Sequence, residues 1–322
     1  RAVAKLASYD SFEGSSATLY ELCGVFVCGR DVQRIAESIG AAIEARNKAK
    51  ILDAFDPNSP KLQPAAAPIM YIEYDGTSIP AVKRDTENRK GKQADGTAKT
   101  REMKVGCIFT QSGLDKENRP VRDKGSTTYF AAIECAENFG RRLYAEAAAR
   151  GSAQKTVVLG DGAKWIWGLA DEHFPEATQI VDIFHAKEHL CMLLKSLLPD
   201  TPERAQLKEN LYLILESGDI PLLIEELSAL PTDNSEKAGS LSREIGYFRD
   251  NARRMNYATF KKSGLFVGSG VVEAACKNVI GKRLKQSGMR WSIDGANAIA
   301  ALRCAILSHS FDSFWSHAAT AA

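Results

Sequence analysis

Two short apolar runs, each halted by an Asp-Gly pair, constrain the fold of this chain more than any other feature. Ile69-Met-Tyr-Ile-Glu-Tyr74 stops at Asp75-Gly76, and Thr156-Val-Val-Leu-Gly160 stops at Asp161-Gly162. Brief runs rich in β-branched and aromatic residues, bounded by turn residues, read as buried strands. Ile79 to Val82 is expected to return as the antiparallel partner of the first, and Lys104 to Thr110 supplies a third strand. Thr178 to Asp182 reads as the last one. Helical spacing falls between and after them, from Tyr129 to Arg150, from Ala163 to His173 and from about Ala186 to Leu197. The order is three strands, helix, strand, helix, strand, helix. That is a mixed α/β sheet, antiparallel at its start and parallel later.

The flanking segments are helical. Ser16 to Gly24 reads as a short helix ending at the glycine, and Asp31 is expected to cap a second through Val32, Ile35, Ile39 and Ile43. Two helices about a short Gly-containing turn fit a helix-turn-helix or a plain helical hairpin equally, because the second helix is not strongly basic. A linker with Pro57, Pro60, Pro64 and Pro68 follows, and Lys83 to Thr100 reads as a long hairpin tip or mobile loop. After Pro199 and Pro202 the chain is helical throughout 200–262. Leu207, Leu211, Ile214 and Leu215 form one apolar face there, and Leu222, Leu223, Leu227 and Leu230 another. One more helix is expected from near Gly270 to about Gln286, and a last from Ala296 to Ser308. The expected organisation is a helical N-terminal region and linker (1–66), an α/β domain in two parts (67–199 and 264–322) and an all-helical insertion (200–263).

At 322 residues, 44% of them hydrophobic and 25% charged, the composition is that of a soluble globular protein of two or three domains. No apolar run approaches the ~18 residues of a membrane span, and nothing at the start reads as a signal peptide. A chain opening at Arg1 reads as a fragment or a processed form. The seven cysteines lie singly in apolar stretches, which suits reduced thiols in a cytoplasm, and Cys23 and Cys28 have no second pair to make a zinc site. The net charge of +2 decides nothing about nucleic acid, but local charge is uneven. Val82 to Lys104 holds eight basic and four acidic residues, and Lys277 to Arg303 holds six basic and one acidic.

Position singles out three acids. Asp75 and Asp161 are each expected at the end of a strand, the edge where open α/β sheets place their sites, and each precedes a glycine that lets substrate approach. Glu273 falls in the first turn of the helix introduced by Gly268-Ser-Gly270. Phosphodiester chemistry uses such a set: two Mg²⁺ ions roughly 3.5–4 Å apart activate the attacking oxygen and stabilise the leaving one. Mg²⁺ takes hard oxygen ligands, and Mn²⁺ substitutes for it. An Asp-Gly pair taken alone is simply a turn.

Asp182, His185 and His189 form a second constellation, with the two histidines four apart on one helix face. A zinc site on this trio lacks a fourth ligand. The stronger expectation is that His185 orients a phosphate, a water or an acid, while His189 is structural. Lys277 stands one turn beyond Glu273, and Lys282, Arg283, Lys285 and Arg290 extend a phosphate-binding surface in the same reading; a solvated charged face is the plain alternative. Trp291 is expected to pack, as is at least one of Trp165 and Trp167.

Ile72-Glu-Tyr-Asp-Gly-Thr-Ser-Ile-Pro80, Val158-Leu-Gly-Asp-Gly-Ala-Lys-Trp-Ile166, Ile180-Val-Asp-Ile-Phe-His-Ala-Lys-Glu-His-Leu190 and Gly268-Ser-Gly-Val-Val-Glu-Ala-Ala-Cys-Lys277 together resemble the DDE transposases of bacterial insertion sequences, the ISKra-type group in particular. The resemblance covers nearly the whole chain. It implies an RNase H-like catalytic domain interrupted by an all-helical insertion ahead of the Glu, with Asp75, Asp161 and Glu273 as the metal-binding trio. Asp182 and His185 match the Cys-or-Asp, two residues, His signature of related transposases. The implied activity is Mg²⁺-dependent end cleavage and strand transfer. The implied partner is double-stranded DNA, transposon ends and target, bound by a homodimer or larger assembly at the bacterial nucleoid. The competing expectations are an RNase H-like nuclease or resolvase without strand transfer, and a catalytically silent DNA-binding protein on the same fold.

Overall fold

The computed structural model describes residues 1–59, 67–91 and 93–320; Pro60 and Pro64 of the expected linker and Lys92 of the expected loop lie outside the described residues. Three helices open the chain, α1 (Ala2–Ala7), α2 (Phe12–Cys23) and α3 (Gly29–Phe55). Next come β1 (Ala67–Pro80), α4 (Lys83–Thr86), β2 (Thr100–Gln111), the two-residue strands β3 (Gly113–Leu114) and β4 (Pro120–Val121), and β5 (Thr128–Ala132). An α/β alternation follows: α5 (Ala136–Ala148), β6 (Ala153–Gly160), α6 (Lys164–His173), β7 (Thr178–Val181) and α7 (Ile183–Leu197). The all-helical stretch holds α8 (Pro202–Ser217), α9 (Ile220–Ser228), α10 (Ser235–Asn251), a 3₁₀ turn (Ala252–Arg254) and α11 (Tyr257–Lys262). The chain closes with α12 (Gly270–Ala275), a π-helical segment (Cys276–Gly281), α13 (Lys282–Leu284), α14 (Ile293–Leu307) and α15 (Phe311–Thr320). Among the described residues no helix is long and apolar enough to cross a membrane.

The class is mixed α/β, with a five-stranded sheet in the order β5-β2-β1-β6-β7. The antiparallel start is the β2–β5 pair, running from Lys104 opposite Ala132 to Ile108 opposite Thr128. The parallel part is β6–β7, from Val157 opposite Thr178 to Gly160 opposite Val181.

Several boundaries differ from the sequence expectation. β1 does not stop at Tyr74, and Ile79 to Val82 is not a separate return strand; Asp75-Gly76 stays extended inside one 14-residue strand. The Asp75 carboxylate accepts the Gly76 N–H at 2.6 Å, which serves that donor without a chain reversal. Helix does not begin at Tyr129 either. Phe130 lies across Gly106 of β2, where a Cβ would come within 2.2 Å of its ring, so the missing side chain on one strand seats the aromatic of its partner. Residues 83–100 contain α4 and a Lys90–Thr97 bridge rather than an unbroken loop. α3 is capped at Cys28, three residues before the expected cap Asp31, which sits instead in its first turn, where a negative charge still complements the helix dipole.

The chain divides into two compact units. The first holds residues 1–110, 123–154 and 270–322. In it α3 turns its buried Val32, Ala36, Gly40 and Ile43 inward and crosses α14 at contact distance, with a Cβ on Gly40 falling 2.1 Å from the Ala298 carbonyl oxygen. The buried Arg142 of α5 forms a double ion pair, to Glu44 of α3 at 2.6 Å and to Glu134 at 2.9 Å. These carboxylates hold the Arg142 pKa above its ordinary value although burial alone pushes it down. The second unit holds 111–122 and 155–269. Its helices bury Leu190, Leu194, Leu211, Leu215, Leu223, Leu227 and Phe248. Leu211 with Leu215, and Leu223 with Leu227, are the inward positions of the two apolar faces read from sequence, while Leu222 is 38% exposed and faces away.

Gly40→Ala drives a methyl into a backbone carbonyl that cannot rotate aside. Overpacking of this kind costs about 1–3 kcal/mol, so urea unfolding is expected to show a lower midpoint with an unchanged slope.

Candidate active-site residues

The first unit contains Asp75 and Glu273. Glu73, two positions before Asp75 on β1, is fully buried and accepts the Val272 N–H of α12 at 2.9 Å. A helix start leaves its first N–H groups unpaired, and a buried carboxylate there meets both that need and the dipole. Glu73 thereby fixes the turn that carries Glu273, which is exposed in the first turn of α12. Glu73 stands inside the otherwise apolar run 69–74, and an acid in such a run is itself a signal.

Asp75 Oδ2 lies 3.7 Å from Cys276 Sγ, the first residue of the π segment. Burial first, and then the charge and hydrogen bond of Asp75, push the Cys276 thiol up to about 12, with Glu273 adding to the rise and Lys285 opposing it. Asp75, Glu273 and Lys285 thus act electrostatically on one thiol. Lys285 also donates to Thr77 Oγ1 on β1 at 2.6 Å. The π segment is anchored from α14. The buried Arg303 donates to the carbonyls of Asn278 and Val279 and to that of Ser8. A wide turn distorts the regular ladder, and a guanidinium with five fixed donors can serve several carbonyls at once.

The basic surface read from sequence needs one correction. Lys277, Lys282, Lys285 and Arg290 are exposed, but Arg283 is fully buried. Its Nε donates to the Ala7 carbonyl at 2.8 Å, and its guanidinium lies over the rings of Phe12 and Trp291 at 4.7 and 5.1 Å. Burial, with Arg303 nearby, lowers its pKa to about 10. Arg283 is a packing residue and offers nothing to a phosphate. Lys277 sits on the π segment, the element that follows the helix bearing Glu273. Trp291 packs as expected, with its indole N–H on the Leu284 carbonyl at 3.0 Å.

The second unit contains Asp161, Asp182 and His185. Asp161 follows β6 directly, at the C-terminal end of a parallel strand, and accepts the Ala163 N–H at 2.7 Å. A Cβ at Gly162 would come within 2.0 Å of Cε2 of Tyr247, so the glycine lets the α10 tyrosine close over this turn. The Tyr247 hydroxyl is buried with no hydrogen-bond partner among the described residues. Burial raises its pKa well above the ordinary phenol range, helped by the charges of Asp161, Glu244 and Asp182.

Asp182 caps α7. One oxygen accepts the Phe184 and His185 N–H groups at 2.6 and 3.3 Å, and the other accepts both the N–H and the hydroxyl of Ser269. Both oxygens are committed, so Asp182 is not available as the third ligand of an Asp/His/His metal site. His185 and His189 do share a face, with their Nε2 atoms 3.3 Å apart. His189 Nδ1 meets Glu244 of α10 at 2.7 Å, and its ring stacks on Tyr247 with centroids 3.9 Å apart. An open groove in the same unit, lined by Lys164, Trp167, Arg243, Tyr247, Asp250 and Arg254, had no signature in the sequence. Trp167 is the buried member of its tryptophan pair, with the Arg254 guanidinium 4.6 Å from its ring.

Among the described residues no group of three or more His, Cys, Asp or Glu side chains is arranged to hold a metal ion. No protein-family model matches the sequence, and no curated protein matches it. Among solved structures, one titled "Drosophila P element transposase strand transfer complex" aligns over 95% of this chain and 91% of that one, at 8% identity and a TM-score of 0.29. A score at that level establishes neither fold nor function, and both have to be argued from the chain itself.

Two outcomes follow from the local chemistry. Asp182→Ala removes a helix cap and strands the buried Ser269 donors, so chemical denaturation is expected to show a loss of roughly 2–4 kcal/mol. Ser269→Ala, which removes donor and demand together, should cost less. Because only the thiolate alkylates, Cys276 should stay protonated and slow with iodoacetamide at pH 8, while the exposed Cys23 and Cys28 react. Its rate should climb about tenfold per pH unit toward 12, and Asp75→Asn should speed it at fixed pH; peptide mass spectrometry reads both.

Proposed function

We propose that this chain is a DDE-type DNA transposase of the ISKra-type insertion-sequence group. Its catalytic domain is RNase H-like, formed by 67–199 and 264–322, and is interrupted by the helical insertion 200–263. The observation that carries the reading is Asp161 directly beyond β6, in the parallel β6–α6–β7 unit, where α/β sheets bear their sites. The four sequence segments that together resemble this family support the same reading. In this reading Asp75, Asp161 and Glu273 are the metal-binding acids. Their hard carboxylate oxygens are the donor type that Mg²⁺ and Mn²⁺ take. When bound, the two ions supply activation of the attacking oxygen and stabilisation of the leaving one.

The chain's own residues do the rest. Glu73 fixes the start of the helix bearing Glu273. His185, on the helix capped by Asp182, orients a water or a phosphate oxygen. Exposed Lys277, Lys282, Lys285 and Arg290 neutralise DNA phosphates, a sequence-independent contribution that weakens as salt rises. The partners are transposon-end and target DNA, bound by a homodimer or larger assembly at the nucleoid.

The experiment is cleavage and strand transfer of element-end DNA with Mg²⁺ or Mn²⁺. Asp75→Asn, Asp161→Asn and Glu273→Gln are each expected to cut the rate at least about a hundredfold while leaving DNA binding in place, since metal stabilisation of the transition state is worth several kcal/mol. Wild-type cleavage by Asp161→Asn contradicts the assignment. Cleavage without joining points instead to a nuclease on the same fold.

A further inference from the structure

We infer that His185 and His189 form a binding site for a first-row transition-metal dication of the Zn²⁺ type, separate from the hard-cation chemistry of the three acids. A carboxylate 2.7 Å from His189 Nδ1 keeps the ring proton on that nitrogen, so Nε2 presents its lone pair. Nε2 of His185 lies 3.3 Å away. His185 Nδ1 has its own carboxylate, Glu188, at 3.8 Å. The two Nε2 atoms therefore sit at hydrogen-bonding distance on one helix face, and a dication held by both nitrogens replaces that contact.

The spacing selects the cation. Nitrogens about 2.0–2.1 Å from a tetrahedral ion lie roughly 3.3–3.4 Å apart, which is the separation found here. Imidazole nitrogen suits Zn²⁺, Co²⁺, Ni²⁺ and Cu²⁺ and is a poor ligand for Mg²⁺. The surroundings resemble those of built metal sites. A carboxylate behind the ligating histidine fixes tautomer and ring angle, as Glu244 does for His189. Tyr247 stacks on that ring with planes 9° apart and holds its orientation. The Asp182 cap, bonded to the His185 N–H, fixes the helical turn on which both ligands stand.

His185 and His189 keep 37% and 28% of their side-chain surface, so an ion can enter and keep water or an anionic oxygen in its remaining positions. With two protein ligands the site binds more weakly than a four-ligand structural zinc. If DNA is the substrate, the open positions give the ion a way to carry out the orienting role assigned to His185. The metal site itself stands independently of that reading.

The test is Zn²⁺ titration of the full chain, followed by long-range ¹H–¹⁵N NMR of its five histidines and by calorimetry. The expected result is one ion per chain that shifts the Nε2 resonances of two histidines. It should be weakened at least tenfold by His185→Asn or His189→Asn, weakened about 10–100-fold or less by Glu244→Gln, and not mimicked by Mg²⁺. The NMR readout needs no variant, so misfolding of a mutant does not blunt it. Zn²⁺ uptake that leaves every Nε2 signal in place, or that both Asn variants retain, places the metal elsewhere and overturns the proposal; absence of stoichiometric binding does the same. None of these readouts uses DNA, so failure here and failure of the transposase reading are distinguishable.

Discussion

A buried carboxylate bonded to the first turn of a helix is the constraint on which the rest of each compact unit's site depends. In the first unit Glu73 takes the Val272 N–H, and in the second Asp182 takes those of Phe184 and His185. An ionised group in a protein interior is costly unless charge-assisted hydrogen bonds replace its water. Helix N-termini supply such donors, already oriented. Each acid therefore locks one helix to one backbone position, and the residues that ride on those helices, Glu273 in one unit and His185 with His189 in the other, inherit that rigidity. Asp182 reaches further, because its second oxygen binds Ser269 and ties the start of α7 to the segment that closes its unit.

The same logic explains the buried arginines. Arg303 finds acceptors in the carbonyls of the π segment, and Arg142 finds two carboxylates. Arg283 has one carbonyl, a thioether sulfur and two aromatic faces, and its pKa falls to about 10. The contrast between the directions for Arg142 and Arg283 measures what lies around each guanidinium. Equal burial with paired anions favours the charge, while burial among rings and neutral acceptors opposes it.

What the sequence made legible follows from the range over which its signals act. The strand at 156–160, the helix around His185 and the helices beyond Pro202 were readable because periodicity and capping are local. The extension of β1 past Asp75 was not, since an Asp-Gly pair favours a turn but does not compel one, and Ile79 is buried on the same strand. Tyr129 to Ala132 was misread as helix because its pairing partner lies more than twenty residues earlier, at Gly106 and its neighbours. Arg283 was misread for a related reason. A basic run fixes charge but not facing, and Phe12 and Trp291, which claim that side chain, are invisible to a count of lysines and arginines. Glu73 and Asp182 illustrate the reverse case. Each was written in plain view as an acid beside an apolar run, yet its job depends on which distant N–H it meets.

Ligand hardness separates the two metal chemistries argued for this chain. Carboxylate oxygens at Asp75, Asp161 and Glu273 suit ions that hold water tightly and exchange it for phosphate oxygens. Imidazole nitrogens at His185 and His189, each with an acid behind Nδ1, suit a softer ion that the carboxylates bind less selectively. The acids differ in the same way. Glu244 spends its oxygen orienting a ring, and Asp182 spends both of its oxygens on backbone and hydroxyl donors, so neither competes for Mg²⁺. Asp75 and Asp161 also accept backbone N–H groups, so what sets Asp182 apart is that both of its oxygens are committed, one to the helix start and the other to Ser269.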